Sequence, residues 1–329
     1  MIDWIGVISM KFVIIGASGH HNQALSAMKE GLDVQLAAIA PGTPGEDMTR
    51  LHNATGAHLY DNWEEMLDKE KPDIAVVNPW FSDIAKISAT CLKRGIHTYS
   101  EKPLATEMSD LTALISAWKE SGKDLGCMLN LNCCNWFRTV EKAIMDGEIG
   151  SVRVIHGQKS YRMGSRGENY RSRALYGGTI PWVGIHAIDW LLRLGGKCNW
   201  VSAVHTTIEN AGHGELESAA SVLIGMENGV IGTCDIDYFR PVGSARHDDD
   251  RVRVTGTKGM IEAIDGIVTL ENELPRRVLP LEEAVNPFTR FVNAIGTDEA
   301  VKLTEEAIED TRISLLARQA ADEERAIKA

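Results

Sequence analysis

The order of apolar and amphipathic runs in the first part of the chain constrains its fold more than any other sequence feature. Short apolar runs, typical of buried strands, alternate there with longer runs of helical periodicity. The strand-like runs are Lys11–Ile15, Val34–Ala40, Asp73–Val77, His97–Ser100 and Leu125–Leu131. Strands that alternate with helices form βαβ units with parallel strands, so we predict an α/β domain with a parallel sheet over residues 1–131.

The rest of the chain has a different pattern. From about residue 152, apolar and polar residues alternate in successive runs, and Asn228-Gly229 between two of them is a strong hairpin turn signal. A helix over Ile185–Leu194 interrupts these strands, and a helical pattern runs from Thr304 to about Lys328. We therefore predict a second, α+β domain over residues 132–329, with a large, mostly antiparallel open sheet.

Composition excludes several classes of function. With 34 Lys and Arg against 46 Asp and Glu, the net charge of −12 disfavours binding to nucleic acid or to anionic membranes. The apolar runs are too short to span a membrane. The six cysteines lack metal-ligand spacing, so we expect reduced thiols, no metal site and a cytoplasmic location.

The first nine residues are apolar but lack the basic region of a signal peptide. We interpret residues 1–9 as a possible extension, with Met10 as a possible natural start, because the first strand begins directly after it.

The segment between the first strand and the first helix resembles a phosphate-binding turn. Gly16 and Gly19 sit where glycines let the backbone approach a pyrophosphate at a helix N-terminus. The full glycine pattern is not met, since Ser18 occupies the second glycine position. His20 and His21 follow, and either can hydrogen-bond phosphate or be a solvated helix residue. The turn predicts a Rossmann-type dinucleotide-binding domain.

The acid that usually holds the adenosine ribose at the end of the second strand is missing. Ala40-Pro41 occupies that position, and no arginine directly follows to hold a 2′-phosphate. The choice between NAD and NADP is therefore open.

Two further strand ends carry candidate residues. Asn78-Pro79 ends the third strand and Glu101-Lys102-Pro103 follows the fourth, at the sheet edge where doubly wound folds bind ligands. Pro103 keeps Lys102 out of the helical region and fixes the turn, so we expect the lysine to project into the ligand cleft.

These motifs, together with Gly177-Gly178, His186-Ala187-Ile188-Asp189 and Val254–Gly259, resemble the Gfo/Idh/MocA oxidoreductases from about residue 11 onward. That family includes glucose–fructose oxidoreductase and inositol dehydrogenase. The resemblance implies NAD or NADP held by the first domain. It implies a second domain for substrate binding and oligomerisation, and a homodimer or homotetramer. It also implies hydride transfer on a sugar, polyol or related secondary alcohol, with Lys102 contacting the reacting oxygen and the nicotinamide ribose.

By the same resemblance His186 is the acid/base, a role that suits an imidazole near neutral pH. The family often has an aspartate four residues earlier, but here that position is Trp182. Trp182 can stack on a sugar ring or on nicotinamide, or pack in the core. Asp189 is a possible substitute for orienting the imidazole, although an ion pair or cap is the favoured interpretation.

Other substrate candidates are less specific. Tyr161 and Arg162 lie in a Tyr- and Arg-rich segment that suits a lid over a polar substrate or an ordinary surface loop. Asn130 ends the last strand of the first domain. His247 can reach the cleft, although the acidic run after it is more typical of a solvated turn.

The leading hypothesis is an NAD(P)-dependent dehydrogenase or reductase for a carbohydrate-like alcohol or ketone. A second is a glycoside-cleaving enzyme that keeps NAD bound and oxidises its substrate transiently. A third is a non-catalytic nucleotide- or sugar-binding sensor, suggested by the irregular glycine turn and by Trp182.

Overall fold

A computed structural model of the protein describes residues 9–329. The possible extension at residues 1–9 therefore lies, apart from Ser9, outside the described residues. The chain packs as two compact units. The first comprises the residues up to Leu104, Thr112–Met128 and Asn286–Glu305, and the second comprises Ala105–Leu111, Leu129–Val285 and Glu306–Ala329. The single domain boundary near residue 131 stays a prediction.

The first unit contains a parallel sheet of six strands. They are β1 (Met10–Ile15), β2 (Val34–Ala40), β3 (His58–Leu59), β4 (Ile74–Val77), β5 (His97–Ser100) and β6 (Leu125–Cys127). Their order is β3-β2-β1-β4-β5-β6, the doubly wound order of a Rossmann fold. Phe12–Ile15 and Ile74–Val77 are fully buried because helices cover both faces of such a sheet. The predicted parallel sheet is confirmed.

The helices have the following bounds: α1 (Asn22–Lys29), α2 (Thr49–Thr55), α3 (Trp63–Glu70), α4 (Ile84–Lys93), α5 (Met108–Ser121), α6 (Asn135–Met145), α7 (Arg173–Tyr176), α8 (Ile185–Gly195), α9 (Pro287–Ala294) and α10 (Asp298–Asp322). In the first unit, Phe288 and Phe291 of α9 pack on Tyr99 of β5, at ring distances of 5.1 and 5.3 Å. The last helix begins and ends earlier than Thr304–Lys328, since α10 starts at Asp298 and the chain ends in a short strand.

The second unit contains a sheet of nine strands. They are β7 (Val152–Tyr161), β8 (Cys198–Thr206), β9 (Ala219–Met226), β10 (Ile231–Asp237), β11 (Asp248–Gly256), β12 (Met260–Ile264), β13 (Ile267–Glu271), β14 (Arg277–Val278) and β15 (Ile327–Lys328). Their order is β14-β13-β12-β11-β7-β10-β9-β8-β15. The central pair β7 and β10 is parallel and all other pairs are antiparallel. The predicted mostly antiparallel sheet is thus confirmed.

One face of this second sheet lies under α8. Gly157 and Gly232 face that helix, and a Cβ at Gly232 would lie 3.2 Å from Leu191. Small residues on β7 and β10 therefore let α8 approach the sheet closely. Among residues 9–329, no helix is both long and apolar enough to cross a membrane.

Candidate active site

The glycine turn after β1 packs tightly against neighbouring strand ends of its own unit. Gly16 has a φ of +83°, and a Cβ there would lie 2.3 Å from the carbonyl oxygen of Asn78. A Cβ at Gly19 would lie 1.8 Å from Glu101 Oε2. Ser18 N donates to the Asn78 carbonyl over 2.9 Å. The two glycines are therefore required by backbone conformation and by close approach, as in a phosphate-binding turn.

The side chain of Asn78 is fully buried at the carboxyl end of β4. Neither its Oδ1 nor its Nδ2 has a hydrogen-bond partner among residues 9–329. Buried amides in proteins are nearly always paired, and an unpaired one costs about 1–3 kcal/mol. An amide left open beside the glycine turn fits a bound dinucleotide that supplies the missing partners. Pro79, also a cofactor candidate, follows it directly and packs near Gly42.

Glu101 is a fully buried carboxylate between the glycine turn and Lys102. It accepts from the backbone N–H of His20 and lies 2.9 Å from the His20 ring Nδ1. Burial alone would raise the pKa of Glu101, but the charge and hydrogen bonds of His20, with Lys102, hold that pKa below its ordinary value. Burial lowers the pKa of the adjacent His21. Glu101 therefore ties the start of the α1 region to the end of β5.

Lys102 follows Glu101 at the carboxyl end of β5, and only 3% of its side chain is exposed. Its backbone N–H donates to Glu101 Oε1 over 2.9 Å, and its peptide bond to Pro103 is cis. The lysine is thus a buried cation at the strand edge where ligands of this fold bind.

Sequence reasoning missed Glu46, in the loop between β2 and α2. Its Oε1 accepts from Ala17 N over 2.9 Å and from the Ser18 hydroxyl over 2.6 Å. Its Oε2 accepts from Gly42 N and Thr43 N. The glycine-containing loop around it was visible in the sequence, but the contact with Ser18 is long-range and left no local pattern.

The second unit holds the candidate acid/base. His186 lies in the first turn of α8 and is 2% exposed. A π-helical turn over Ile180–Gly184 precedes it and contains the buried Trp182, whose ring centroid lies 6.3 Å from that of Tyr170. Single π-helical turns frequently occur at functional sites. The pattern that predicted α8 did not reveal this turn.

A buried carboxylate that sequence reasoning also missed, Glu217, fixes the chain before this turn. Glu217 accepts from the Tyr176 hydroxyl and from Thr179 N, and its carbonyl accepts from the Thr179 hydroxyl. Arg173 pairs with its other oxygen at 3.2 Å. Glu217 therefore holds the Gly177-Gly178 segment that leads to His186.

Asp189 is buried on α8, where its carboxylate binds two other side chains. Arg193 Nε donates to Oδ1 over 2.6 Å, and Asn132 Nδ2 donates to Oδ2 over 3.1 Å. Burial and the negative charge of Asp189 raise the pKa of Asp310 well above its ordinary value. These contacts match the interpretation of Asp189 as part of an ion pair.

Two substrate candidates of the second unit, Tyr161 and His247, form an aromatic group with Tyr238. The ring centroid of Tyr161 lies 5.1 Å from that of His247 and 6.4 Å from that of Tyr238, all nearly parallel. Beneath Tyr161, Lys159 Nζ binds both oxygens of Asp250 at 2.5 and 2.6 Å. Asp250 is therefore a buried strand residue of β11, so the interpretation of the whole acidic run as a solvated turn is wrong.

The last two substrate candidates are partly buried in the second unit. The Arg162 Nε and Asn130 Oδ1 atoms are buried without a hydrogen-bond partner among the described residues. Unpaired polar atoms of this kind suit contacts to a polar ligand. Between residues 9 and 329 no group of three or more His, Cys, Asp or Glu side chains is arranged to hold a metal ion.

Comparison with known proteins identifies both parts of the chain. Residues 10–128 match the model of an oxidoreductase family NAD-binding Rossmann fold, and residues 137–262 match that of a GFO/IDH/MocA C-terminal domain. A solved structure of a Thermotoga maritima protein assigned as an oxidoreductase superposes with a TM-score of 0.91. It is 39% identical and covers 97% of this chain and 100% of its own.

Two curated relatives carry named activities. D-apiose dehydrogenase of Paraburkholderia graminis is 24% identical over 261 residues, which is 76% of this chain and 66% of the relative. Glycosyl hydrolase family 109 protein 2 of Akkermansia muciniphila is 23% identical over 164 residues, 48% of this chain and 34% of the relative. The chain thus spans less than two thirds of the length of either.

Proposed function

Because the chain belongs to the GFO/IDH/MocA family and its first unit is an NAD-binding Rossmann fold, we propose that it is an NAD(P)-dependent oxidoreductase of carbohydrates. The reaction is hydride transfer between nicotinamide and a secondary alcohol or ketone of a sugar, polyol or related compound. The observation that carries this proposal is the open, buried amide of Asn78 beside the tight Gly16 turn.

A nicotinamide cofactor held by the first unit would supply the hydride acceptor for oxidation of the substrate carbon. His186 takes the hydroxyl proton as general base and returns it in the reverse direction, which contributes roughly 10²–10⁴-fold to the rate. Lys102 polarises the same oxygen with its ammonium group and stabilises the negative charge that develops there. Burial of both side chains, at 3% and 2% exposure, strengthens these interactions because little water competes.

The remaining candidates suit cofactor and carbohydrate binding. We assign Gly16, Ser18, Gly19, His20, His21, Asn78, Pro79 and Glu101 to cofactor binding, and Asn130, Tyr161, Arg162, Trp182, Asp189 and His247 to the substrate region. Flat aromatic faces stack on sugar rings, and the parallel rings of Tyr161 and His247 offer such a surface.

We further propose a cytoplasmic homodimer or homotetramer. Exposed apolar side chains on the second sheet support the oligomer, since Val204, Leu223 and Ile231 are 66%, 37% and 50% exposed. Apolar side chains exposed on one sheet are typical of a surface covered by another subunit.

The assignment of Lys102 and His186 is tested by steady-state rates on a panel of sugars and polyols with NAD and NADP. We expect Lys102→Ala and His186→Asn to lower kcat by roughly 10²-fold or more, because each group acts on the reacting oxygen. Lys86→Ala and His156→Asn, which alter exposed residues of the same types, serve as controls. Parent-like rates in both active-site variants would contradict the roles.

The glycosyl hydrolase relative favours a second candidate, a glycoside-cleaving enzyme that keeps NAD bound. The same residues serve it, because transient oxidation needs the same proton and hydride transfers. The two candidates differ in net product, since only the dehydrogenase accumulates NADH.

A further inference from the structure

The position that normally selects between NAD and NADP carries no acid in this chain. In a Rossmann fold a carboxylate at the end of the second strand binds the adenosine ribose hydroxyls. Strand β2 ends at Ala40, and the chain continues into Pro41-Gly42. None of these three residues has a carboxylate, so another side chain must supply one if the ribose is recognised.

We propose that Glu46 takes this role and makes the protein prefer NAD(H) over NADP(H), an inference that rests on the proposed dinucleotide cofactor. Although Glu46 lies several residues beyond the end of β2 in sequence, its carboxylate lies at the edge of the sheet. It bridges the loop after β2, through Gly42 N at 3.1 Å, and the glycine turn after β1, through Ala17 N at 2.9 Å. That is the place, between the ends of adjacent strands, where the ribose of a dinucleotide lies in this fold.

Hydrogen bonds of Thr43 hold the loop that carries Glu46 in place. Thr43 is buried, and its hydroxyl donates to Asp83 over 2.8 Å and accepts from Trp80 N over 3.2 Å. Glu46 N in turn donates to the Thr43 carbonyl over 3.2 Å. The carboxylate is therefore preorganised rather than mobile, which is what a specificity contact requires.

Two of the four donors to Glu46 can give way to a ribose. The Ser18 hydroxyl is a rotor that can turn to another acceptor, and the bond from Thr43 N is long at 3.3 Å. The 2′- and 3′-hydroxyls of NAD can replace them as donors. A 2′-phosphate has acceptor oxygens only and carries nearly two negative charges, so the carboxylate repels it.

A titration with NADH and NADPH, followed by nicotinamide fluorescence, tests the proposal without any substrate. The parent is expected to bind NADH at least about tenfold more tightly, and Glu46→Gln to lower that preference at least about tenfold, mainly through tighter NADPH binding. Asp47→Asn is the matched control. It removes the same charge from the next residue, which is exposed and accepts a local hydrogen bond from Thr49 N, and should leave the preference unchanged.

Glu46→Asp keeps the charge and is expected to keep the preference for NADH, which provides a second variant if the glutamine variant does not fold. Tighter binding of NADPH to the parent would overturn the proposal and point to a cation such as Arg50 on α2. Equal weakening of both cofactors by Glu46→Gln would overturn it too, since Glu46 would then only brace the loop. Failure of the parent to bind either cofactor would overturn the proposed function as well.

Discussion

At the scale of single residues, Glu101 shows how one side chain can serve both structure and chemistry. Its carboxylate holds His20 through the backbone and the ring, and its neighbour Lys102 is the residue proposed to polarise the substrate oxygen. A charge buried without partners would be costly, but these contacts hold the pKa of Glu101 below its ordinary value of 4.5. The carboxylate thus supports both the glycine turn and the lysine.

Glu101→Gln is expected to destabilise the protein by about 1–3 kcal/mol at neutral pH, because the amide loses the charge and keeps only one of the two oxygens that accept from His20 N and Lys102 N. The folded pKa lies below the unfolded one, so the stabilisation is present above the unfolded value and disappears as the pH falls through the folded value. The difference in thermal midpoint between parent and variant should therefore stay nearly constant down to about pH 5, and it should shrink as the pH is lowered further, from about 4.5 to 3. A difference that stays constant over this range would contradict the charge-based account.

Glu46, Glu217 and Asp250 show why part of the site could not be predicted from sequence. Each finds its partner far along the chain, as in the pair of Asp250 with Lys159, 91 residues away. The spacing of residues in the local sequence does not indicate such long-range pairs. By contrast, Gly16, Lys102 and His186 stand in local motifs, beside a strand end or a helix start, so the sequence alone offers them as candidates.

At the scale of elements, the segment before α8 decides where His186 lies. Gly177 ends α7 with a φ of +84°, and a Cβ there would lie 2.6 Å from Thr106 Cγ2. The π-helical turn, which contains Trp182, then leads directly into α8, which carries His186 and packs closely on the second sheet. Periodicity alone predicted α8, but a π-turn arises from tertiary packing and has no repeat of its own. Similarly, β3 was missed because its two residues are exposed and too few to form a pattern.

Gly177→Ala is expected to destabilise the protein by roughly 2 kcal/mol or more and to lower kcat, because left-handed strain and a steric clash act together. Gly164→Ala is the matched control, since Gly164 has a φ of +58° but a Cβ there would meet nothing within 4 Å. The Gly164→Ala control should lower the free energy of unfolding by about 1 kcal/mol, from backbone strain alone. Thermal unfolding and steady-state rates measure both effects, and equal losses in the two variants would show that the contact with Thr106 is unimportant.

At the scale of the whole molecule, alternating strands and helices predicted the order of elements but not their grouping. Residues 286–305, which lie in sequence between strands β14 and β15 of the second sheet, pack in the first unit, where Phe288 and Phe291 contact Tyr99. The local sequence pattern does not predict that this segment packs in the first unit, because the aromatic contacts join residues far apart in sequence. The two sheets themselves follow from local hydrophobic patterns and were predicted correctly.

The measurement that tests the account most directly is the stoichiometry of NADH formed per carbohydrate consumed. The protein would be mixed with NAD and each of a panel of free sugars, polyols and glycosides, and NADH absorbance compared with product analysis. The account predicts one NADH per molecule of free sugar or polyol oxidised, with loss of this signal in His186→Asn. Release of sugar from a glycoside without net NADH, and no oxidation of any free sugar or polyol, would contradict it.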